Sequence, residues 1–201
     1  FIQVLYGVSS TAEGMGNFSL AVKADGTLWA TGLNTFGQLG TGDNGGRSSF
    51  EQVLTGVTAA AKAFEHSLAL KSDGTLWAAG RNNHGQLGTN DYANRNNFTQ
   101  VLTNVGAMAC GYNSTLGESY SLALKVDGTL WATGDNSLGQ LGTSDYAGRN
   151  TFGQVLSNVV AIAAGGSHSL AVKSDGTLWA TGDNTYGQLG RVDFTGVNTW
   201  T

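Results

Sequence analysis

The stretch Ser67-Leu-Ala-Leu-Lys-Ser-Asp-Gly-Thr-Leu-Trp-Ala-Ala79 decides the fold. It sets two apolar runs on either side of an Asp-Gly pair, and the glycine supplies the positive φ that a tight hairpin turn needs. Two short antiparallel strands follow. The phrase Asp-Gly-Thr-Leu-Trp-Ala returns four times, opening at Asp25, Asp73, Asp127 and Asp175, and each copy leads to a Gly-Gln-Leu-Gly beginning at Gly37, Gly85, Gly139 or Gly187. Successive Asp-Gly pairs are 48, 54 and 48 residues apart, at the long end of β-propeller periods and far from helical repeats.

Working outward from the hairpin, Val57 to Ala63 reads as a preceding strand of small apolar residues, and Phe98-Thr-Gln-Val-Leu102 as a following one. Four antiparallel strands make a blade, so the expected fold is an all-β propeller of four blades. The expected organisation is one domain over 1–201, with repeats near 9–56, 57–104, 105–158 and 159–201 plus 1–8. Alanines at 59, 60, 61, 69, 78 and 79 fit strands covered on both faces. Trp29, Trp77, Trp131 and Trp179 share one repeat position. They read as packing between blades, with a ring of ligand-stacking aromatics as the alternative.

Composition narrows the function. The chain has no proline, 31 glycines, 12% charged residues and a net charge of −4. Its five Lys and five Arg are spread over repeat-related places, so nucleic acid is a poor partner. No apolar run is long enough for a membrane-spanning helix, and no membrane insertion is expected. The chain opens without an initiator Met or a charged-then-apolar leader, which fits a processed product, an excised domain or a segment of something larger. Cys110 is the single cysteine, so it forms no disulfide within the chain and reads as a small core residue. No spacing points to a metal or a cofactor. The repeated acids Asp43, Asp91, Asp145 and Asp193 read as turn residues, since no run of alternating oxygen ligands surrounds them.

The joint occurrence of Ser-His-Ser-Leu-Ala-Val at 167–172, Asp175-Gly-Thr-Leu178, Trp179-Ala-Thr-Gly182 and Asn184-Thr-Tyr-Gly-Gln-Leu-Gly190 resembles the regulator of chromosome condensation repeat family, and it covers essentially the whole chain. The resemblance implies a β-propeller, usually of seven blades where this chain has four repeats, that works mainly by binding proteins. One founding member is a nucleotide-exchange factor and chromatin binder, and a secreted branch inhibits β-lactamases.

Phe1-Ile-Gln-Val-Leu-Tyr-Gly-Val8 aligns with Phe152 to Val159, while the last copy stops at Trp200-Thr201, aligned with Phe152-Gly153. The N-terminal strand is therefore expected to complete the last blade, which closes a ring and removes two edges. Strand completion between chains in a homo-oligomer, and a portion of a longer array, are the other arrangements these ends allow.

Function is sought where copies differ. Repeat three carries an insertion, Tyr112 to Ser119, opposite Gly166-Ser167 of repeat four. Tyr112, Asn113, Ser114, Thr115, Glu118 and Tyr120 form a candidate binding loop, since insertions in repeat arrays map to one face. A variable position before Gly-Gln-Leu-Gly gives Phe36, His84, Leu138 and Tyr186, and a second gives Phe18, His66, Tyr120 and His168. The first set suits a ring of contacts; His66 and His168 in the second read as hydrogen-bonded structural residues. No nucleophile, base or paired carboxylate stands out against the repeat. The expected function is a non-enzymatic protein- or glycan-binding, adhesion-type module. A structural component of an extracellular or virion assembly is the alternative, and an exchange-factor-like regulator the second. An extracellular, cell-surface or virion location is favoured over the cytoplasm.

Overall fold

The computed structural model describes residues 2–12 and 14–201. Its described residues form fifteen strands in four antiparallel sheets. Blade one holds β1 (Val8–Thr11), β2 (Phe18–Lys23), β3 (Leu28–Gly32) and β4 (Arg47–Leu54). Blade two holds β5 (Val57–Lys62), β6 (His66–Lys71), β7 (Leu76–Gly80) and β8 (Arg95–Leu102). Blade three holds β9 (Val105–Asn113), β10 (Glu118–Lys125), β11 (Leu130–Gly134) and β12 (Arg149–Leu156). Blade four holds β13 (Val159–Ala164), β14 (His168–Lys173) and β15 (Leu178–Gly182). First strands lie innermost: Thr11, Ala61, Ala109 and Ala164 line one shared hollow.

The repeated phrase explains its own turn. Asp73 Oδ1 accepts from the Thr75 amide at 2.9 Å and hydroxyl at 2.6 Å, and Thr75 Oγ1 accepts from Trp77 Nε1 at 2.9 Å. Gly74 sits at φ +78°, where a side chain is strained. The other three copies repeat this relay at Thr27, Thr129 and Thr177. Each Trp ring is partly buried, and a lysine ammonium lies over it, 4.3 Å from the Trp77 centroid for Lys71. Because the indole N–H is satisfied locally, the ring is free to pack against the neighbouring blade. Trp77, Trp131 and Trp179 pack between blades.

Strand alternation gives every sheet two faces. Ladder partners place Leu68, Leu70, Leu76 and Ala78 on one face of blade two, and Ser67, Ala69, Trp77 and Ala79 on the other. The leucine face of each blade packs on the small face of the next. Leu20, Val22 and Leu28 meet Ala69, Ala79 and Trp77; Leu68, Leu70 and Leu76 meet Ala123 and Trp131; Leu122, Leu124 and Leu130 meet Ala171 and Trp179. Cys110 belongs to the second of these seams. Burial pushes its thiol upward, which keeps it unreactive.

The ends depart from expectation. Phe1 lies outside the described residues, Ile2 to Tyr6 form no strand, and Val8 opens β1 against Lys23. The outer edge of blade four is taken by the C-terminus instead: Val197 bridges Gly182, and Thr201 exchanges backbone hydrogen bonds with Ala180 at 2.9 and 3.0 Å. That segment follows β15 within the same repeat, so the loop it closes is short and costs little entropy. Residues 1–8 would have to reach across from blade one. Leu178 stays 64% exposed, whereas Leu28, Leu76 and Leu130 are fully buried. The blades thus form an array whose two end faces remain uncovered.

Candidate interaction face

Antiparallel strands alternate direction, so the loops after first and third strands emerge on one face and the Asp-Gly hairpins on the other. Every candidate binding residue outside the strands lies on the first face. Its third-to-fourth-strand loops are knit by two side chains. In blade two, Asn82 Oδ1 accepts from the Leu87 amide at 2.9 Å while its Nδ2 donates to Thr89 Oγ1 and to the Asp91 carbonyl. Gln86 Oε1 accepts from the His84 amide at 2.9 Å. The same bonds recur around Asn34, Asn136 and Asn184 for the leucine amides. A backbone held this way lets the residue before Gly-Gln-Leu-Gly vary. Phe36, His84 and Leu138 are half-buried, and Tyr186 is 88% exposed.

The repeated acids are spent on structure. Asp43 accepts from Thr41 Oγ1, the Gly45 amide and Arg47; these bonds, the Arg47 guanidinium first, hold its carboxyl down at about 2. Arg95 and Arg149 pair in the same way with Asp91 and Asp145. Among the described residues no cluster of three metal-ligating side chains exists.

The insertion lengthens β9 and β10 into a hairpin that projects beyond its counterparts. Asn113 Oδ1 accepts from the Thr115 and Leu116 amides at 2.9 and 3.2 Å, and Asn113 Nδ2 donates to Ser167 Oγ of blade four at 2.6 Å. Tyr112 stacks on Phe64 of blade two, with ring centroids 4.8 Å apart and planes within 7°. The hairpin is therefore braced on both sides. Ser114, Thr115 and Leu116 are exposed at its tip. Beside it, Met15 is 56% exposed on a loop pinned by Lys62 Nζ, which donates to the carbonyls of Gly14 and Met15 at 2.9 Å.

At the other side of the hairpin base, burial and then the nearby Asp135 charge push the Glu118 carboxyl up. Asp135 Oδ2 accepts from the Ser137 amide and hydroxyl and from Gln140 Nε2, and Asp135 Oδ1 lies 3.9 Å from His84 Nδ1. Thus Glu118 of the insertion and His84 of the variable ring share one patch through Asp135. Phe36 lies apart, under the Arg81 guanidinium. Reading the sequence missed Phe64, Met15 and Asp135. The signal available was topological, since all three fall in loops that emerge beside the insertion.

The second variable ring is not a surface. Tyr120, assigned above to the binding loop, is fully buried; its hydroxyl donates to the His168 carbonyl and lies 3.2 Å from Ser169 Oγ of the next blade. No partner can touch it. Phe18 and His66 are buried likewise. Ser121 spends its hydroxyl hydrogen on the Gln86 carbonyl at 2.8 Å, so the 3.0 Å bond between Ser121 Oγ and His66 Nε2 makes His66 the donor. His66 Nδ1 then faces no partner, and burial drives this imidazole down to about 4.

Two models described as regulator of chromosome condensation (RCC1) repeat match the chain, one at residues 16–38, 60–86 and 159–188 and the other at 127–172, so that all four repeats are reached. No curated protein matches the chain in sequence. Among solved structures, human WBSCR16 is similar with a TM-score of 0.83 and 23% identity, over 100% of this chain and 54% of its own. Prp20p from Saccharomyces cerevisiae, in a structure titled for its binding to Gsp1p and histones, is similar with a TM-score of 0.78 and 22% identity, over 96% of this chain and 50% of its own. The chain spans about half the length of the structures it matches. The repeats, the blades they build and these likenesses agree: the chain belongs to the regulator of chromosome condensation repeat family and folds as four blades of its β-propeller.

Proposed function

We propose that this chain is a non-catalytic scaffold that binds a protein partner through the face carrying the insertion. The observation that carries the reading is convergence. The places where the repeats stop being copies (the Tyr112–Ser119 hairpin, Met15, Phe64, and His84 with Asp135) lie on one face, and those of blades two and three adjoin. Exposed Leu116 and Met15 supply apolar anchors beside a polar rim of Asn113, Ser114, Thr115 and Glu118, the anatomy in which a few buried contacts dominate affinity. A regulator of the exchange-factor kind is the narrower form of this reading, favoured by the likeness to Prp20p; a glycan ligand is an alternative occupant of the same face.

The test replaces Tyr112 to Ser119 with the Gly-Ser of repeat four and compares proteins captured by the immobilised wild-type and variant chains. Loss of a partner at least tenfold, with the variant folded, is the expected result. Equal capture by both chains contradicts the assignment.

A further inference from the structure

The outer strands β4, β8 and β12 each open on an arginine and close on Gln-Val-Leu, and their chemistry changes most four residues after the arginine, at Glu51, Thr99 and Gly153. The ladders put these three residues at one place, opposite Ala30, Ala78 and Ala132. In blade one that place completes an arginine. Arg47 donates through Nη2 to Asp43 at 2.8 Å, through Nη1 to the Gly45 carbonyl at 2.6 Å and through Nε to the Glu51 carboxylate at 2.7 Å. Blade three keeps two of the three bonds. Arg149 Nη2 donates to Asp145 at 2.7 Å and Nη1 to the Ala147 carbonyl at 2.5 Å, but among the described residues nothing accepts from its Nε.

The missing side chain leaves room. A Cβ at Gly153 would meet nothing within 4 Å, and Gly142, Thr143, Ser144, Arg149, Gly153 and Gln154 line a hollow of about 360 Å³. The Arg149 side chain is 32% exposed, where Arg47 under Glu51 is 19% exposed. An ion pair standing free in solvent contributes little. Here the guanidinium is already fixed by Asp145 and a carbonyl, so a further acceptor costs it little freedom, and a bond between two charged groups is about twice as strong as a neutral one.

We propose that this hollow on the outer flank of blade three binds a carboxylate, the acidic side chain of an extended segment of a partner protein, in the place that Glu51 fills in blade one. The repeat itself supplies the occupant: a carboxylate accepting from Arg149 Nε restores the set of bonds that Arg47 makes. β12 is the outermost strand of its sheet, and Gly153, without a Cβ, lets another backbone run close beside it. In blade two Thr99 holds the position, so Arg95 has a side chain where Arg149 has a hollow.

The arginine Nε–H resonances of an isotope-labelled chain read the site directly. Acetyl-Val-Glu-Val-amide is expected to shift the Arg149 resonance to saturation and to bind about tenfold more tightly than acetyl-Val-Gln-Val-amide or acetate, with Arg95 unmoved. Gly153→Glu, which supplies the carboxylate from within the chain, should shift that resonance without peptide and abolish the response, with an unchanged circular dichroism spectrum. Glu51→Gly should create a second responding site at Arg47. The proposal is overturned by an Arg149 resonance that the peptide leaves unmoved, by acetate binding as tightly as the peptide, by a response that survives Gly153→Glu, or by equal shifts at Arg95 and Arg149. No captured partner enters these titrations, so their failure would leave the assignment of the insertion to its own test.

Discussion

At the scale of single residues, the recurring polar letters of the repeat have bonds to make. Thr75 is the hinge of its phrase, accepting from the Trp77 indole while bound to Asp73. Thr75→Val keeps the shape and deletes both bonds, with an expected cost of about 1 kcal/mol or roughly 2–4 °C in Tm, read by thermal melting. His66 makes stability depend on pH. Its folded value of about 4 lies below the ordinary 6.5, so the unfolded chain binds more protons between these values and stability falls as pH drops from 6.5 to 4. The full loss is about 3 kcal/mol. His168, also lowered by burial, adds in the same direction. His66→Phe, the residue type that blade one uses at this position, should flatten most of that slope in urea melts at pH 7 and pH 5. Asp43 and Asp145, both held at about 2, act in a separate window. Their contribution is present above 3.8 and is lost as pH falls toward 2.

At the scale of elements, most of the fold was legible and the reason is local. Asp-Gly turns and apolar alternation placed β6, β7 and their copies within a residue, because those strands are specified by their own turns. β8 begins three residues earlier than Phe98, since Arg95 pairs with Gly80 in a register that no apolar pattern marks. The outer edge of blade four was misplaced for a different reason: two segments share the outer-strand alignment, and tether length, not pattern, chose Val197–Thr201. Of the site, the insertion was visible as a departure from period, while Phe64 and Asp135 became partners only through folding. Tyr120 was misjudged because polarity in sequence does not tell a rim residue from one bonded inside a seam. Glycines offer a check on seam packing. Gly26 and Gly88 both have positive φ, near +80° and +73°, but only at Gly88 would a Cβ strike a neighbouring ring, that of Phe152. Gly88→Ala should cost about 1–3 kcal/mol more than Gly26→Ala in denaturant titrations, and equal costs would argue against tight seams.

At the scale of the molecule, the scaffold and the face it presents are separable. Blades are held by leucine-on-alanine seams and by turns that close on themselves, and the insertion rests on this frame without completing it. On the proposed function, recognition falls to one face and the Asp-Gly hairpins are structural turns. Amide hydrogen exchange, with and without a partner captured by the wild-type chain, reads this directly. Protection is expected at 14–17, 64–66, 111–119 and 135–138, with the hairpins at 24–27, 72–75, 126–129 and 174–177 unchanged. Protection centred on those hairpins, with the insertion exchanging as in the free chain, would contradict the account.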